Sequence, residues 1–167
     1  MKDLDTIFLV GMPGSGKSTF GKQLASYLSF EFLDTDSLIE KREGKSIPEI
    51  FSENGEAYFR KVEQSVLLEL DAKSTVVATG GGMPCFFENM AVINQKGFSV
   101  FLDIPVKVLA ERVIKQGNRP LLPEKELDEL VASLAKKYNE RKVYYQKANI
   151  SLFYPEITIG AFNLKLN

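Results

Sequence analysis

Short apolar runs alternate along the chain with longer stretches whose apolar residues recur every three or four positions. Residues 6–10 predict a buried strand, followed by glycine-rich residues 11–16 and a helix from 17 to about 28. A second strand is predicted over 30–33, running into Asp34-Thr35-Asp36, and the helical residues 37–44 end at Gly44. Ser46 and Glu49 have capping-box spacing and open another helical stretch, with Pro48 early in it, where proline is tolerated. From 55 to 71 the spacing of Phe59, Val62, Val66, Leu67 and Leu70 predicts a long amphipathic helix. A strand over 75–78 then leads into Gly80-Gly81-Gly82. Beyond it come a helix over about 86–95, a strand over 98–102 and a helix from 105 to about 115 with Val108, Leu109 and Val113 on its apolar side. A polar loop over 117–123, a long helix from 124 to about 146 and a last strand near 149–153 complete the pattern. Strands alternating with helices of this length predict a mostly parallel sheet covered on both faces, an α/β fold.

Composition narrows the chemistry. A chain of 167 residues with no internal repeat or linker suits one domain, 1–167, and 44% apolar residues are enough to fill its core. Lys and Arg total 21 against 22 Asp and Glu, so there is no basic field to attract nucleic acid or an acidic membrane surface. No apolar run approaches the roughly 20 residues of a spanning helix, and the acidic start, Asp3 and Asp5, lacks a signal-peptide pattern. There is no His, which excludes His triads, His general bases and His-ligated zinc. The single Cys85 cannot form an internal disulfide, which suits a reducing cytoplasm, and it reads as a small buried hydrophobe. The chemistry left is that of Asp, Glu, Lys, Arg, Ser, backbone amides and a metal.

Gly11-Met12-Pro13-Gly14-Ser15-Gly16-Lys17-Ser18 fits G-x-x-x-x-G-K-[ST], after a predicted strand and at the start of a predicted helix. Small residues let the loop curl so that its N–H groups face phosphate oxygens, and the helix N-terminus adds its positive dipole end. Lys17 can reach the β- and γ-phosphates and Ser18 can hold Mg²⁺. Asp34 and Asp36 lie at the carboxyl end of the second strand, where ligands of parallel sheets gather. If extended, they point the same way, so one can hold Mg²⁺ through water while the other faces an acceptor hydroxyl. The alternative is that Asp36 or Ser37 caps the next helix. Asp103 is a rival Mg²⁺ candidate that more simply ends its strand. The three glycines 80–82 suggest close approach of a ligand or another backbone. Arg119 in the 117–123 loop can act as a lid residue that brings a guanidinium onto phosphates. Arg60 and Arg141 carry no message by themselves.

Taken together these segments resemble the shikimate kinases, small P-loop kinases of aromatic amino-acid biosynthesis. The resemblance rests on residues 11–19, Asp34-Thr35-Asp36 and Ser46-Ile47-Pro48-Glu49-Ile50-Phe51. It continues in Gly55-Glu56-Ala57-Tyr58-Phe59-Arg60 with Glu63, in Gly80-Gly81-Gly82 and in Asn118-Arg119-Pro120-Leu121-Leu122. It implies a three-layer α/β/α fold with a central five-stranded parallel sheet, a substrate-binding helical region over about 35–63 and a lid over about 113–124. By the same resemblance Gly14, Ser15, Gly16, Lys17, Ser18, Thr19, Arg112 and Arg119 would bind ATP, with Arg112 against the adenine and Arg119 swinging onto the phosphates. Arg60 and Arg141 would grip the shikimate carboxylate, and Asp36, Gly81 and Gly82 the ring hydroxyls. Asp36 would take the proton from the 3-hydroxyl, with Lys17 and Arg119 completing the catalytic set and Ser18 and Asp34 holding one Mg²⁺. The family often has Arg-x-Pro-Leu-Tyr where this chain has Arg141-Lys142-Val143-Tyr144-Tyr145. The expected protein is a cytoplasmic, monomeric enzyme. Competing readings are a kinase for another small acceptor, gluconate or a nucleoside monophosphate, and a nucleotide-binding regulatory module without catalysis. The presence of Lys17, Ser18, Asp34, Asp36 and Arg119 together argues against the last.

Overall fold

The computed structural model describes residues 5–116 and 124–166. Five parallel strands, β1 (Thr6–Val10), β2 (Glu31–Asp34), β3 (Thr75–Ala78), β4 (Phe98–Asp103) and β5 (Ile150–Phe153), lie in the order β2-β3-β1-β4-β5. The helices among the described residues are α1 (Lys17–Leu28), α2 (Thr35–Glu43), α3 (Ile47–Glu69), α4 (Asn89–Lys96), α5 (Val106–Gln116), α6 (Glu124–Tyr145) and α7 (Ile159–Leu166). None of them is long and apolar enough to cross a membrane.

Strand alternation assigns the two faces. Phe8, Val10, Val77 and Phe101 pack with Leu67 of α3, Met90 and Ile93 of α4, Leu109 of α5 and Tyr145 of α6. Their neighbours Ile7, Leu9, Val76, Val100 and Leu102 pack on the opposite face with Phe20, Leu24 and Ala25 of α1 and Phe162 of α7. The result is the expected three-layer α/β/α arrangement. A third apolar cluster, Ile39, Ile50, Phe59, Val62 and Val66, joins α2 to α3 away from the sheet. The backbone of α3 breaks at Gly55, where φ is 80° and ψ 173°. The carboxylate of Glu49 reaches back to the Ser46 N–H at 2.8 Å at its start.

Three expectations need correction. Asp36 is not extended with Asp34: it lies in the first turn of α2, and Asp34 is the cap, its Oδ1 accepting from the N–H groups of Asp36 at 3.0 Å and Ser37 at 3.4 Å. The helix expected from residue 86 begins at Asn89, because a short 3₁₀ turn, Met83–Cys85, comes first and Phe87 adopts φ 50°. Finally, α7 has no counterpart in the sequence pattern. It is only eight residues long, and its full burial of Phe162 against α1 and the sheet, more than its own periodicity, accounts for it.

Candidate active site

The loop between β1 and α1 wraps around its own lysine. Gly14 and Gly16 take φ values of 79° and 91°, open to glycine, and bring the carbonyls of Gly11 and Met12 inward. Lys17 Nζ donates to those carbonyls at 2.9 and 2.8 Å and to Ser15 Oγ at 3.4 Å. Burial pulls its ammonium down to a pKa of about 8, against the opposing pull of Asp36 and Asp34. Ser18 Oγ donates to Asp34 Oδ2 at 2.9 Å, so the oxygen of Asp34 not used for capping faces the loop. Arg112, from α5, donates from Nη1 to the Gly14 carbonyl at 2.8 Å. Gly14, Ser15, Gly16, Lys17, Ser18 and Thr19 line one cleft of about 650 Å³ together with Asp34, Asp36, Gly81 and Arg112. Residues 117–123, and with them Arg119, lie outside the described residues.

Asp36 sits where this cleft meets the turn after β3. Burial raises its pKa above the ordinary carboxylate value, and the Asp34 charge raises it further, while Lys17 and Arg60 pull the other way. Each glycine of the turn gives room to a different part of the site. A Cβ on Gly80 would lie 2.6 Å from Asp36 Oδ1 and 3.1 Å from Glu63 Oε1, and one on Gly81 would lie 2.6 Å from the Pro13 ring. A Cβ on Gly82 would overlap the Arg60 guanidinium. The turn is held from both sides: the Gly80 N–H donates to buried Thr35 Oγ1 at 2.8 Å, and Tyr145 Oη donates to the Gly81 carbonyl at 2.5 Å.

Arg60, on α3, is almost enclosed. Its Nη1 donates to Glu63 Oε2 at 2.6 Å, and its Cζ stands 4.0 Å from the centroid of the Phe86 ring. Nε and Nη2 both donate to Glu56 Oε1, at 3.2 and 3.1 Å. Burial raises the Glu63 carboxyl despite the Arg60 bond, and the Asp36 charge adds to the rise. Arg141, one turn before Tyr145 on α6, acts electrostatically on Lys17, Glu63, Cys85 and Tyr145, so its charge reaches the same end of the cleft. Cys85 is half-buried, and burial pushes its thiol up to about 11, so it is no thiolate at neutral pH. Asp103 accepts from Tyr138 Oη at 2.8 Å, a tie between β4 and α6, and is not among the residues that line the cleft.

Sequence reasoning misses Thr35 and leaves Glu56, Glu63 and Tyr145 without roles. It also passes over Tyr154, Pro155 and Ile157, which line the cleft beyond the end of β5. The rule that ligands gather at carboxyl ends of strands points to these last three.

A phosphate-binding loop ahead of a buried lysine, a serine–aspartate pair and a second carboxylate beside a glycine turn define a P-loop kinase. The family model for shikimate kinase matches residues 13–157, and the chain belongs to the shikimate kinase family. It is 44% identical over 145 residues to a shikimate kinase of Bacteroides fragilis, covering 86% of this chain and 81% of the relative. One from Clostridium botulinum is 41% identical over 149 residues, 87% and 85% of the two chains. Among solved structures, a shikimate kinase from Bacteroides thetaiotaomicron superposes with TM-score 0.82 at 36% identity over 97% of this chain and 94% of its own. A shikimate kinase from Acinetobacter baumannii in complex with shikimate gives 0.77 at 36% over 98% and 89%. A gluconokinase from Sinorhizobium meliloti, 14% identical with TM-score 0.52, shares the fold.

Proposed function

We propose that the protein transfers the γ-phosphoryl group of ATP to the 3-hydroxyl of shikimate, giving shikimate 3-phosphate and ADP on the chorismate route to aromatic amino acids. The observation that carries this reading beside the family membership is the pairing of Asp36 and Arg60 around one glycine turn at the end of the phosphate cleft. An anionic polyol needs a guanidinium for its carboxylate and an acidic acceptor for its hydroxyls.

Residues 14–19 hold the phosphates, and Lys17 exchanges the Gly11 and Met12 carbonyls for phosphate oxygens. Arg112 lies beside the adenine, and the Arg119 guanidinium is a further cation for the phosphates. Arg60 and Arg141 grip the carboxylate, while Asp36, Gly81 and Gly82 bind ring hydroxyls. Asp36 takes the 3-hydroxyl proton as the oxygen attacks the γ-phosphorus and ADP leaves; its raised proton affinity makes it a better base than an ordinary carboxylate. Ser18 Oγ and Asp34 Oδ2 are adjacent hard oxygens, which suits one Mg²⁺. When bound, Mg²⁺ neutralises phosphate charge. The same reading takes the enzyme as monomeric and cytoplasmic.

The test is ADP release measured with shikimate, gluconate and nucleoside monophosphates in turn. Shikimate alone should support turnover, and Asp36→Asn should reduce that turnover at least about 10²-fold with ATP affinity retained. Turnover with a nucleoside monophosphate or gluconate instead of shikimate would defeat the acceptor assignment.

A further inference from the structure

The partners of the Arg60 guanidinium differ in kind. Glu63, which takes Nη1 at 2.6 Å, has a side chain only 1% exposed and cannot leave without stranding a buried charge. Glu56, which takes Nε and Nη2, has a side chain 60% exposed and can turn into water. Glu56 also uses one oxygen for both donors, at 3.2 and 3.1 Å, so its bond is bifurcated rather than the two parallel bonds a carboxylate can make with this edge. Phe86 covers one face of the guanidinium, and Gly82 packs against Nη1, Cζ and Nη2, so the approach left lies in the plane of the group along its Nε/Nη2 edge. The Nε/Nη2 edge is therefore the part of Arg60 that can be handed to a ligand, and Glu56 occupies it.

We propose that Glu56 is a specificity-determining residue that stands in for the acceptor's carboxylate in the free enzyme and is displaced by it on binding. The proposal rests on the reading of Arg60 as carboxylate anchor. A ligand with a planar carboxylate replaces a bifurcated bond by a bidentate one and returns Glu56 to solvent, where its charge is hydrated. A neutral polyol has no anion to exchange and meets an arginine already paired. Glu56 lies directly after the Gly55 break, in the first turn of the second half of α3, where a carboxylate is also favoured by the helix dipole. Its release therefore leaves the charge in a tolerated position.

Displacement predicts that removing the competitor strengthens acceptor binding, the reverse of the outcome expected if Glu56 merely steadies Arg60. Glu56→Gln should lower the KM for shikimate, and the Kd of shikimate titrated into nucleotide-free protein, by about two- to fivefold, the scale of an exposed ion pair. The effect should appear in KM and not in kcat. Acetate, a bare carboxylate, should compete with shikimate at lower concentrations in the variant than in the wild type. Glu56→Asp keeps the charge at the helix start but shortens the reach, and should shift both readouts the same way by less. It decides the matter if Glu56→Gln unfolds at a lower temperature. A raised or unchanged KM in a folded variant, with acetate no more effective, overturns the proposal. Arg60→Ala measured alongside separates the two readings: if it leaves shikimate affinity unchanged, the anchor assignment itself fails.

Discussion

On the side of the cleft proposed for the nucleotide, the groups placed to meet phosphate come from consecutive residues folded between β1 and α1, and most of them are backbone. On the acceptor side they come from α2, α3, the turn after β3 and α6, and nearly all are side chains held by other side chains: Asp36 beside Glu63, Arg60 between Glu56, Glu63 and Phe86, Tyr145 beneath Gly81. On the proposed reading the first side recognises what every nucleoside triphosphate shares, and it is anchored on the fully buried β1. The second has its own apolar cluster, which joins α2 to α3 away from the sheet.

Breaking the nucleotide side should give the largest effect. Lys17→Met removes the one side-chain cation of the loop and should cut turnover on the order of 10²-fold or more. Shikimate affinity measured without nucleotide should stay near the wild-type value, because Lys17 bonds within its own loop. Steady-state turnover and a nucleotide-free titration check both. Near-normal turnover would show that the loop does not serve phosphoryl transfer.

Arg60→Ala is the matching break on the acceptor side. Shikimate binding should weaken by roughly 2–5 kcal/mol if the guanidinium makes a desolvated carboxylate contact, with ATP affinity barely changed. Glu63, 1% exposed, then loses its counter-charge, so the thermal midpoint should fall as well. Arg60→Ala with Glu63→Gln removes that stranded charge and should recover part of the stability without recovering shikimate affinity. Recovery of both would make Arg60 a structural partner of Glu63 and nothing more.

The same division explains what can be read from the sequence. The phosphate loop is contiguous, and its residue types are dictated by backbone geometry, so Gly11 to Ser18 identify it without tertiary information. The inner strands β1 and β3 are equally plain, because strands buried along their whole length are written as β-branched and apolar runs. The acceptor side is assembled from distant segments, and nothing local in Thr35, Glu56 or Tyr145 says that they meet the glycine turn or Arg60. Only the family resemblance gives Arg60 and Arg141 their roles. Asp34 and Asp36 read as one extended segment because the strand-to-helix switch falls between them, and a cap two residues earlier than Asp36 reverses which acid is tied to the backbone. The helix α7 escapes the pattern because two turns of helix carry little periodicity and Phe162 reads as apolar in any conformation.

The smallest predicted effect tests whether the acceptor side carries a stability cost for its base. Asp36 has a pKa raised by burial first and by Asp34 second, over the opposing Lys17 and Arg60. A carboxyl with a higher pKa in the folded state binds its proton more tightly folded than unfolded. Stability is then fully present below the ordinary aspartate value and is lost as pH rises through the raised folded value. At neutral pH the ionised Asp36 therefore works against the fold. Asn keeps the shape and takes away the charge, so Asp36→Asn should unfold at a higher temperature than the wild type at pH 7, without nucleotide or Mg²⁺. The gap should narrow as pH falls through the raised range in which the wild-type carboxyl takes up its proton. Thermal unfolding followed across that range reads the sign directly. A variant that unfolds at a lower temperature at pH 7 would mean that attraction to Lys17 and Arg60 outweighs burial, and the acceptor side would then hold its base as an ordinary paired carboxylate. A higher midpoint, together with lost turnover, would make Asp36 a group kept for chemistry at the expense of the fold.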